Sequence, residues 1–267
     1  MKIKVACIQI NSSSNAQKNI EMLEKMFLSN KITKADLICL PECAAIFTDD
    51  RKKLNDYLIK WEKKFLELIN SFARKMQSYV LVGSIPHVKR NSKLLNRSVV
   101  IGPDGLIIKF YDKINLFDVS LDNKEEYFES KNYDPGKKLS MATLPWGNLG
   151  MTICYDLRFP QLYKKLAKKG ADFFSIPAAF TYTTGKEHWH SLLRARAIEN
   201  GCFVFAPAQC GKHDNGRQTF GHSMIIDPWG KIIEEAKNSV GIISANIDLE
   251  LIRECRNKIP AMTDYKL

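Results

Sequence analysis

The chain has 267 residues, of which 45% are hydrophobic and 26% are charged. This composition is that of an ordinary globular protein, and it excludes disordered and fibrous chains. The sequence contains no run of about 18 apolar residues that could span a membrane, and its start lacks the pattern of a signal peptide. We therefore expect a cytoplasmic protein without membrane contacts, folded as a single domain over residues 1–267.

The formal net charge is +11, from 40 lysines and arginines against 29 aspartates and glutamates. A charge of this size raises the alternative of a nucleic-acid-binding protein. The basic residues, however, occur as scattered pairs without interleaved aromatic residues, and Lys164, Lys165, Lys168 and Lys169 would form one wet helix face. This pattern favours a solvated surface and no nucleic-acid partner.

Seven cysteines are present, an odd number, and none forms a CxxC pair. The scattered positions argue against both a disulfide framework and a zinc site. We expect reduced thiols and no metal.

In the first half, apolar runs and helical periodicity predict alternating strands and helices. A strand over 3–10 precedes a helix carrying Ile20 and Leu23, capped by Asn11 or by one of the serines at 12–14. A second strand over 35–40 precedes one long helix from Leu54 to Met76, and a third strand covers 79–83. A hairpin follows, with strands over 96–101 and 106–110.

The second half begins with a polar loop over 118–138. It continues with a strand ending at Cys154, a helix from Pro160 to Gly170, a strand over 171–177, a helix over 187–200 and a strand over 202–206. A hairpin over 224–233, a strand over 240–247 and a last helix complete the chain. Because both halves show the same order of elements, we predict an α/β fold with two similar sheets packed face to face inside helices.

Three of the predicted strands end at side chains suited to catalysis: Glu42, Lys113 and Cys154. Ligands of α/β proteins bind at the carboxyl ends of strands. If the three meet, Glu42, with a pKa raised by burial, would take the thiol proton of Cys154. Lys113 and the Tyr155 backbone N–H would stabilise the oxyanion that forms when the thiolate attacks an amide, and a thioester would follow.

Glu129 would orient Lys113. Considered one at a time, these residues have simpler interpretations. Glu42 is also consistent with a surface carboxylate, Lys113 with a solvated residue at the end of a hairpin, and Glu129 with a charge in a loop. We expect the neighbouring Cys43 to point into the core, away from the proposed base.

Three motifs resemble those of the nitrilase (carbon–nitrogen hydrolase) superfamily: Leu40-Pro41-Glu42, the stretch 111–117 and the stretch 154–160. The resemblance runs from Lys4 to about Pro260. It implies a four-layer αββα sandwich with two mixed sheets between outer helices, and a homodimer formed through those helices. It also implies no cofactor, a triad of Glu42, Lys113 and Cys154, and Glu129 as a second glutamate.

Stretches 180–189, 193–199 and 221–230 are similar to the Nit-type amidases, particularly the deaminated glutathione amidases. The resemblance implies hydrolysis to 2-oxoglutarate and cysteinylglycine. Within the same class, an ω-amidase acting on 2-oxoglutaramate or 2-oxosuccinamate and an N-carbamoyl amino acid hydrolase stay open. The sequence also leaves open a Cys–His hydrolase with His188 or His222 as base, and a catalytically dead binding module.

A substrate of this kind carries carboxylates, so a nearby arginine is a candidate anchor. We predict that Arg158, four residues after Cys154, binds the 2-oxo acid end, the alternative being an ion pair with Asp156 or a helix end. Tyr155, Lys186 and His188 are further candidates for substrate contacts, although a histidine at the start of a helix also fits a core position.

Overall fold

The computed structural model describes residues 1–89, 93–121 and 125–261. Its strands are β1 (Lys2–Gln9), β2 (Leu37–Cys39), β3 (Tyr79–Val88), β4 (Leu94–Ile101), β5 (Ile107–Asp112), β6 (Asp118–Leu121), β7 (Glu125–Phe128), β8 (Ser140–Leu144), β9 (Gly147–Met151), β10 (Phe173–Ser175), β11 (Phe203–Ala206), β12 (Cys210–Lys212), β13 (Gln218–Phe220), β14 (Met224–Ile226), β15 (Ile232–Glu235) and β16 (Gly241–Asp248). Its α-helices are α1 (Ala16–Met26), α2 (Arg51–Lys60), α3 (Glu62–Met76), α4 (Pro160–Lys168), α5 (Tyr182–Asn200) and α6 (Glu250–Lys258).

Most strands belong to two six-stranded sheets with the same pattern of pairing. The first sheet has the order β16-β1-β2-β3-β4-β5, and the second has the order β15-β14-β11-β10-β9-β8. In the first sheet β1, β2 and β3 are parallel neighbours, flanked by antiparallel strands. In the second sheet, β9, β10 and β11 are likewise parallel neighbours flanked by antiparallel strands. The prediction of two similar mixed sheets is confirmed.

β1 illustrates why these apolar runs form buried strands. Ile3, Val5 and Cys7 belong to a core cluster that includes strands of the second sheet. The alternate residues Ala6 and Ile8 belong to a separate cluster with α1, α2 and α3. A strand covered on both faces needs apolar residues at every position, because successive side chains point to opposite faces.

The outer layers are helical on both sides. Leu23, Leu54 and Phe65 pack α1, α2 and α3 against the first sheet, while Tyr163 and Trp189 pack α4 and α5 against the second. The order helices, sheet, sheet, helices confirms the predicted four-layer αββα sandwich. None of the helices within the described ranges is both long and apolar enough to cross a membrane.

Several elements differ from the predictions. The long helix from Leu54 to Met76 is two helices, because the backbone of Trp61 leaves helical geometry between α2 and α3. α1 is capped by the Asn15 side chain, which accepts from two backbone N–H groups, and not by residues 11–14. The loop over 118–138 contains the β6–β7 hairpin, and α5 begins at Tyr182 rather than at 187.

Candidate active site

Glu42 follows β2 and is buried at the junction of the two sheets, with 4% of its surface exposed. Its Oε1 accepts hydrogen bonds from Lys113 Nζ at 2.9 Å and from Asn96 Nδ2 at 3.0 Å. Its Oε2 accepts from the backbone N–H of Ala179, in the segment after β10, at 2.8 Å. The Gln209 side chain donates to the Glu42 carbonyl at 2.8 Å. These contacts fix the carboxylate from both halves of the chain.

Lys113 directly follows β5, and its ammonium lies between two carboxylates. It donates to Glu42 Oε1 at 2.9 Å and to Glu129 Oε2 at 2.8 Å. Glu129 also accepts from the Phe117 backbone N–H at 2.7 Å and from Asn96 Nδ2 at 2.9 Å. A buried ammonium needs such compensation, because leaving it unpaired would cost several kcal/mol.

Cys154 begins a short 3₁₀ helix (Cys154–Arg158) after β9, in a turn that holds its backbone at φ +45°. This left-handed conformation is strained for a residue with a Cβ, and strain of this kind clusters at functional sites. The Cys154 backbone N–H donates to the Pro177 carbonyl at 2.9 Å. The buried Asp156 carboxylate closes the turn by accepting from the Ile153 N–H at 2.9 Å.

Asp156 also ties this turn to the segment that carries Lys113. It accepts from the Tyr111 hydroxyl at 2.8 Å and from the Asn115 side chain at 2.8 Å. The turn with the thiol and the segment with the ammonium are therefore held in one hydrogen-bonded unit.

The protonation states follow from burial and from these charges. Burial alone would raise the pKa of Glu42, but the Lys113 charge and the hydrogen bonds to the carboxylate outweigh it, so the pKa lies below its ordinary value. The prediction of a raised pKa for Glu42 is therefore wrong. Burial and the negative charge of Glu42 raise the pKa of the Cys154 thiol well above its ordinary value, with Lys113 partly opposing them. At neutral pH the structure thus holds a carboxylate beside a protonated thiol.

Lys113 keeps its proton. Burial would lower the pKa of the ammonium, but Glu129 and Glu42 raise it well above the ordinary lysine value. A fixed cation in a buried site is suited to stabilise negative charge that develops on an attacked amide.

Glu42, Lys113, Glu129 and Cys154 line one cavity of about 180 Å³. Since a water molecule occupies about 30 Å³ in the liquid, this space holds about six waters and suits a small acyl group. The structure brings together all four residues proposed from the sequence. Their catalytic roles remain our prediction.

The predicted substrate contacts are placed less favourably. Tyr155 borders a small recess beside Cys154, where its ring packs against Phe117. Arg158 does not line the cavity or this recess. Its guanidinium lies 3.2 Å from His188 Nδ1 and 5.1 Å from the centre of the Phe180 ring, because the 3₁₀ helix turns its side chain toward α5. The geometry gives no support to Arg158 as the carboxylate anchor, and no ion pair joins it to Asp156 among the described residues.

Lys186 and His188 are exposed on α5 and lie outside the cavity lining. The Lys186 ammonium instead lies 5.4 Å from the centre of the Tyr182 ring. No contact in the described structure supports either as a substrate-binding residue.

Cys43 lines the cavity, contrary to the expectation that it would point into the core. Its backbone adopts φ +58°, a conformation that a pattern of apolar residues does not reveal. Burial and the charge of Glu42 raise the pKa of the Cys43 thiol, so it is protonated at neutral pH.

Among the cavity residues that the sequence did not identify, Asn96 and Arg217 carry polar groups that matter for the site. Asn96 bridges Glu42 and Glu129, and a buried asparagine at the start of a predicted strand was a signal that could have identified it. Arg217 lies in the turn between β12 and β13, two strands too short to give a periodic pattern.

The histidines proposed as alternative bases lie elsewhere. His222 Nδ1 is 2.6 Å from Glu235 Oε1, an oxygen that also contacts His190 Nε2 at 2.9 Å. Among the described residues that line the cavity there is no histidine. The arrangement therefore disfavours a Cys–His hydrolase.

A family model for carbon–nitrogen hydrolases matches residues 4–257. The chain belongs to the carbon–nitrogen hydrolase family. This membership confirms the resemblance to the nitrilase (carbon–nitrogen hydrolase) superfamily, and with it the expectation of an enzyme that hydrolyses carbon–nitrogen bonds.

Two enzymes are similar to this carbon–nitrogen hydrolase over nearly their full length. The deaminated glutathione amidase of Synechocystis sp. is 38% identical over 96% of both chains. The omega-amidase NIT3 of Saccharomyces cerevisiae is 34% identical over 97% of this chain and 91% of its own. The crystal structure of the Caenorhabditis elegans NitFhit protein superposes with a TM-score of 0.93 at 33% identity, over 99% of this chain and 65% of NitFhit.

Proposed function

We propose that this carbon–nitrogen hydrolase is an amidase that cleaves the amide of deaminated glutathione to 2-oxoglutarate and cysteinylglycine, as in metabolite repair. The observation that carries the mechanism is the contact network in which one lysine ammonium joins Glu42 and Glu129 in the cavity that holds the Cys154 thiol. The relatives named deaminated glutathione amidase, at up to 38% identity, support the choice of substrate.

In the acylation step, Glu42 takes the thiol proton while the Cys154 sulfur attacks the amide carbon. The lowered pKa of Glu42 keeps it a carboxylate at neutral pH, and the hydrogen bond between the Cys154 thiol and this carboxylate gives the proton a direct path. Lys113 stabilises the developing oxyanion with its fixed positive charge. The carbon–nitrogen bond then breaks, and the leaving amine takes the proton from Glu42.

In the deacylation step, water attacks the thioester and passes a proton to Glu42. The carbon–sulfur bond breaks, and Glu42 returns the proton to Cys154. Every proton moves through one carboxylate, so the reaction needs no cofactor in this proposal. Glu129 acts as a positioning residue, since it contacts Lys113 and the Phe117 backbone.

A second candidate function is that of an ω-amidase acting on 2-oxoglutaramate. The 34% identity to the omega-amidase NIT3 supports it. Both substrates share the 2-oxo acid group, so the presence of this group does not separate the two functions. A comparison of kcat/KM for deaminated glutathione, 2-oxoglutaramate and N-carbamoyl amino acids does.

We also infer that residues 1–267 work as one catalytic unit in the cytoplasm, without a nucleic-acid partner, and that two copies pair through the outer helices. The seven scattered cysteines, an odd number without a CxxC pair, support a reducing compartment. Analytical ultracentrifugation tests the dimer, and a steep salt dependence of binding to DNA would count against the absence of a nucleic-acid partner.

Mass spectrometry of the intact protein mixed with deaminated glutathione tests the mechanism. We expect a 2-oxoglutaryl adduct on the peptide containing Cys154, and none on that containing Cys43. Glu42→Gln should lose at least about 100-fold in kcat/KM, since base catalysis typically contributes 10²–10⁴-fold. A protein that forms no adduct and hydrolyses none of these amides would overturn the proposal.

A further inference from the structure

Arg217 contributes a positive charge to the wall of the active-site cavity that the mechanism above does not use. The residue lines the same cavity as Glu42, Lys113 and Cys154. Its charge acts on the Cys43 thiol, which places the guanidinium close to the residue that follows the proposed base. The question is what this cation binds.

The turn that carries Arg217 is firmly anchored. The Arg217 N–H donates to the Asn215 side chain at 3.1 Å, and its carbonyl accepts from the His213 N–H at 2.8 Å. Asn215 Nδ2 donates to the Phe47 carbonyl at 3.0 Å, and His213 contacts the Ser12 carbonyl at 2.8 Å. The arginine therefore projects from a turn fixed to the first sheet, not from a loose loop.

Two aromatic rings hold the guanidinium. Its central carbon lies 4.7 Å from the centre of the Phe47 ring and 4.7 Å from the centre of the Tyr127 ring. Cation–π contacts of this kind orient a guanidinium. They leave its N–H donors available, because an aromatic ring offers no nitrogen or oxygen acceptor from its carbon atoms.

Within the ranges that the structure describes, no acid or carbonyl accepts a hydrogen bond from the Arg217 side chain. Two carboxylates of the cavity, those of Glu42 and Glu129, already bind Lys113. A partly buried guanidinium with free donors at the wall of a cavity is suited to bind a planar anion through two parallel hydrogen bonds.

We propose that Arg217 binds a carboxylate of the substrate and so selects acidic amides over neutral ones. The inference rests on the proposed amidase function and assigns to Arg217 the anchoring role that the sequence had suggested for Arg158. The carboxylate can belong to the acyl part of the substrate or to the amine that leaves, and the two cases are separated by experiment.

The test compares three amides: glutaramate, with a carboxylate on the acyl side; N-pentanoylglycine, with one on the amine side; and neutral pentanamide. Arg217→Met keeps a long side chain between the two rings and removes the charge. We expect a 10- to 100-fold loss of kcat/KM for the amide whose carboxylate is bound, and less than a threefold change for pentanamide. Arg217→Lys, which keeps the charge without the planar fork, should fall between wild type and Arg217→Met.

Lys212→Met is the matched control, because Lys212 is exposed on the same hairpin and lies outside the cavity lining. It should leave all three reactions unchanged. Isothermal titration calorimetry with glutarate gives a second measurement that needs no turnover, and the dissociation constant of glutarate should rise at least tenfold in Arg217→Met.

An equal loss for all three amides, or no loss for any together with unchanged binding of glutarate, would overturn the proposal. If wild type binds glutarate through Arg217 but hydrolyses none of the amides, the amidase function fails while the anion site stands.

Discussion

Replacing Glu129 by glutamine removes one of the two charges that hold the Lys113 ammonium. The carboxylate accepts from Lys113 Nζ and the Phe117 N–H at Oε2, and from Asn96 Nδ2 at Oε1. A glutamine must turn its NH₂ group toward one of these two sides. Asn96 cannot reverse its own amide in compensation, because its Nδ2 also donates to Glu42. In Glu129→Gln, the new NH₂ group therefore faces at least one neighbouring hydrogen-bond donor, where the carboxylate had accepted a hydrogen bond.

The magnitude follows from these contacts. One hydrogen bond to a charged group contributes about 1.5–3 kcal/mol. If the transition state bears this loss, kcat/KM falls about 10- to 100-fold, at about 1.4 kcal/mol for each factor of ten. The free energy of unfolding should fall by about 1.5–3 kcal/mol as well, since Glu129 is part of the folded network.

Steady-state kinetics with an amide substrate and urea denaturation measure the two effects. The loss should lie mainly in kcat, because Glu129 acts through Lys113, which stabilises the transition state. Glu125→Gln is the matched control: this glutamate lies on the preceding strand β7, outside the cavity lining, and accepts from the Thr183 hydroxyl. If Glu129→Gln keeps kcat/KM within threefold of wild type, Glu129 does not position the oxyanion-stabilising charge.

Three further outcomes are expected. Protonation of Glu42 removes the base, and the pKa of this carboxylate lies below its ordinary value while the pKa of the Cys154 thiol lies above its own. We therefore expect kcat/KM to stay constant through neutral pH and to fall in acid only below the ordinary glutamate range. An acid limb near pH 6.5 would instead indicate a histidine base. Gly83→Ala would place a methyl group against the backbone of Pro41, so urea denaturation should show a loss of about 1–3 kcal/mol together with reduced kcat. Asp156→Asn leaves either the Ile153 or the Asn115 backbone N–H without an acceptor, and a thermal scan should show lower stability, by about 1–3 kcal/mol, with unchanged stability contradicting the argument.

The strand ends that carry the reactive groups could be predicted because their signal is local. A continuous apolar run that stops at Glu42 or Cys154 marks a buried strand and its carboxyl end without knowledge of the rest of the fold. The repetition of such runs in the same order likewise predicted the two similar sheets.

Features that depend on contacts between distant residues could not be predicted. The lowered pKa of Glu42 depends on an ammonium 71 positions away along the chain, and burial alone gave the wrong direction. The direction of Cys43 depends on a positive φ, which no residue pattern specified. Arg158 is close to Cys154 in sequence, but one turn of 3₁₀ helix carries its side chain out of the cavity.

Glu42 follows a strand of the first sheet, yet the Ala179 N–H that binds its carboxylate and the Gln209 side chain that binds its backbone carbonyl follow strands of the second. A chain still being synthesised, with its later half inside the ribosome, lacks these partners and cannot assemble the base and the thiol. We therefore expect amidase activity to appear only after the two sheets have packed against each other. The time course of amidase activity during refolding would therefore measure how fast the two sheets pack together.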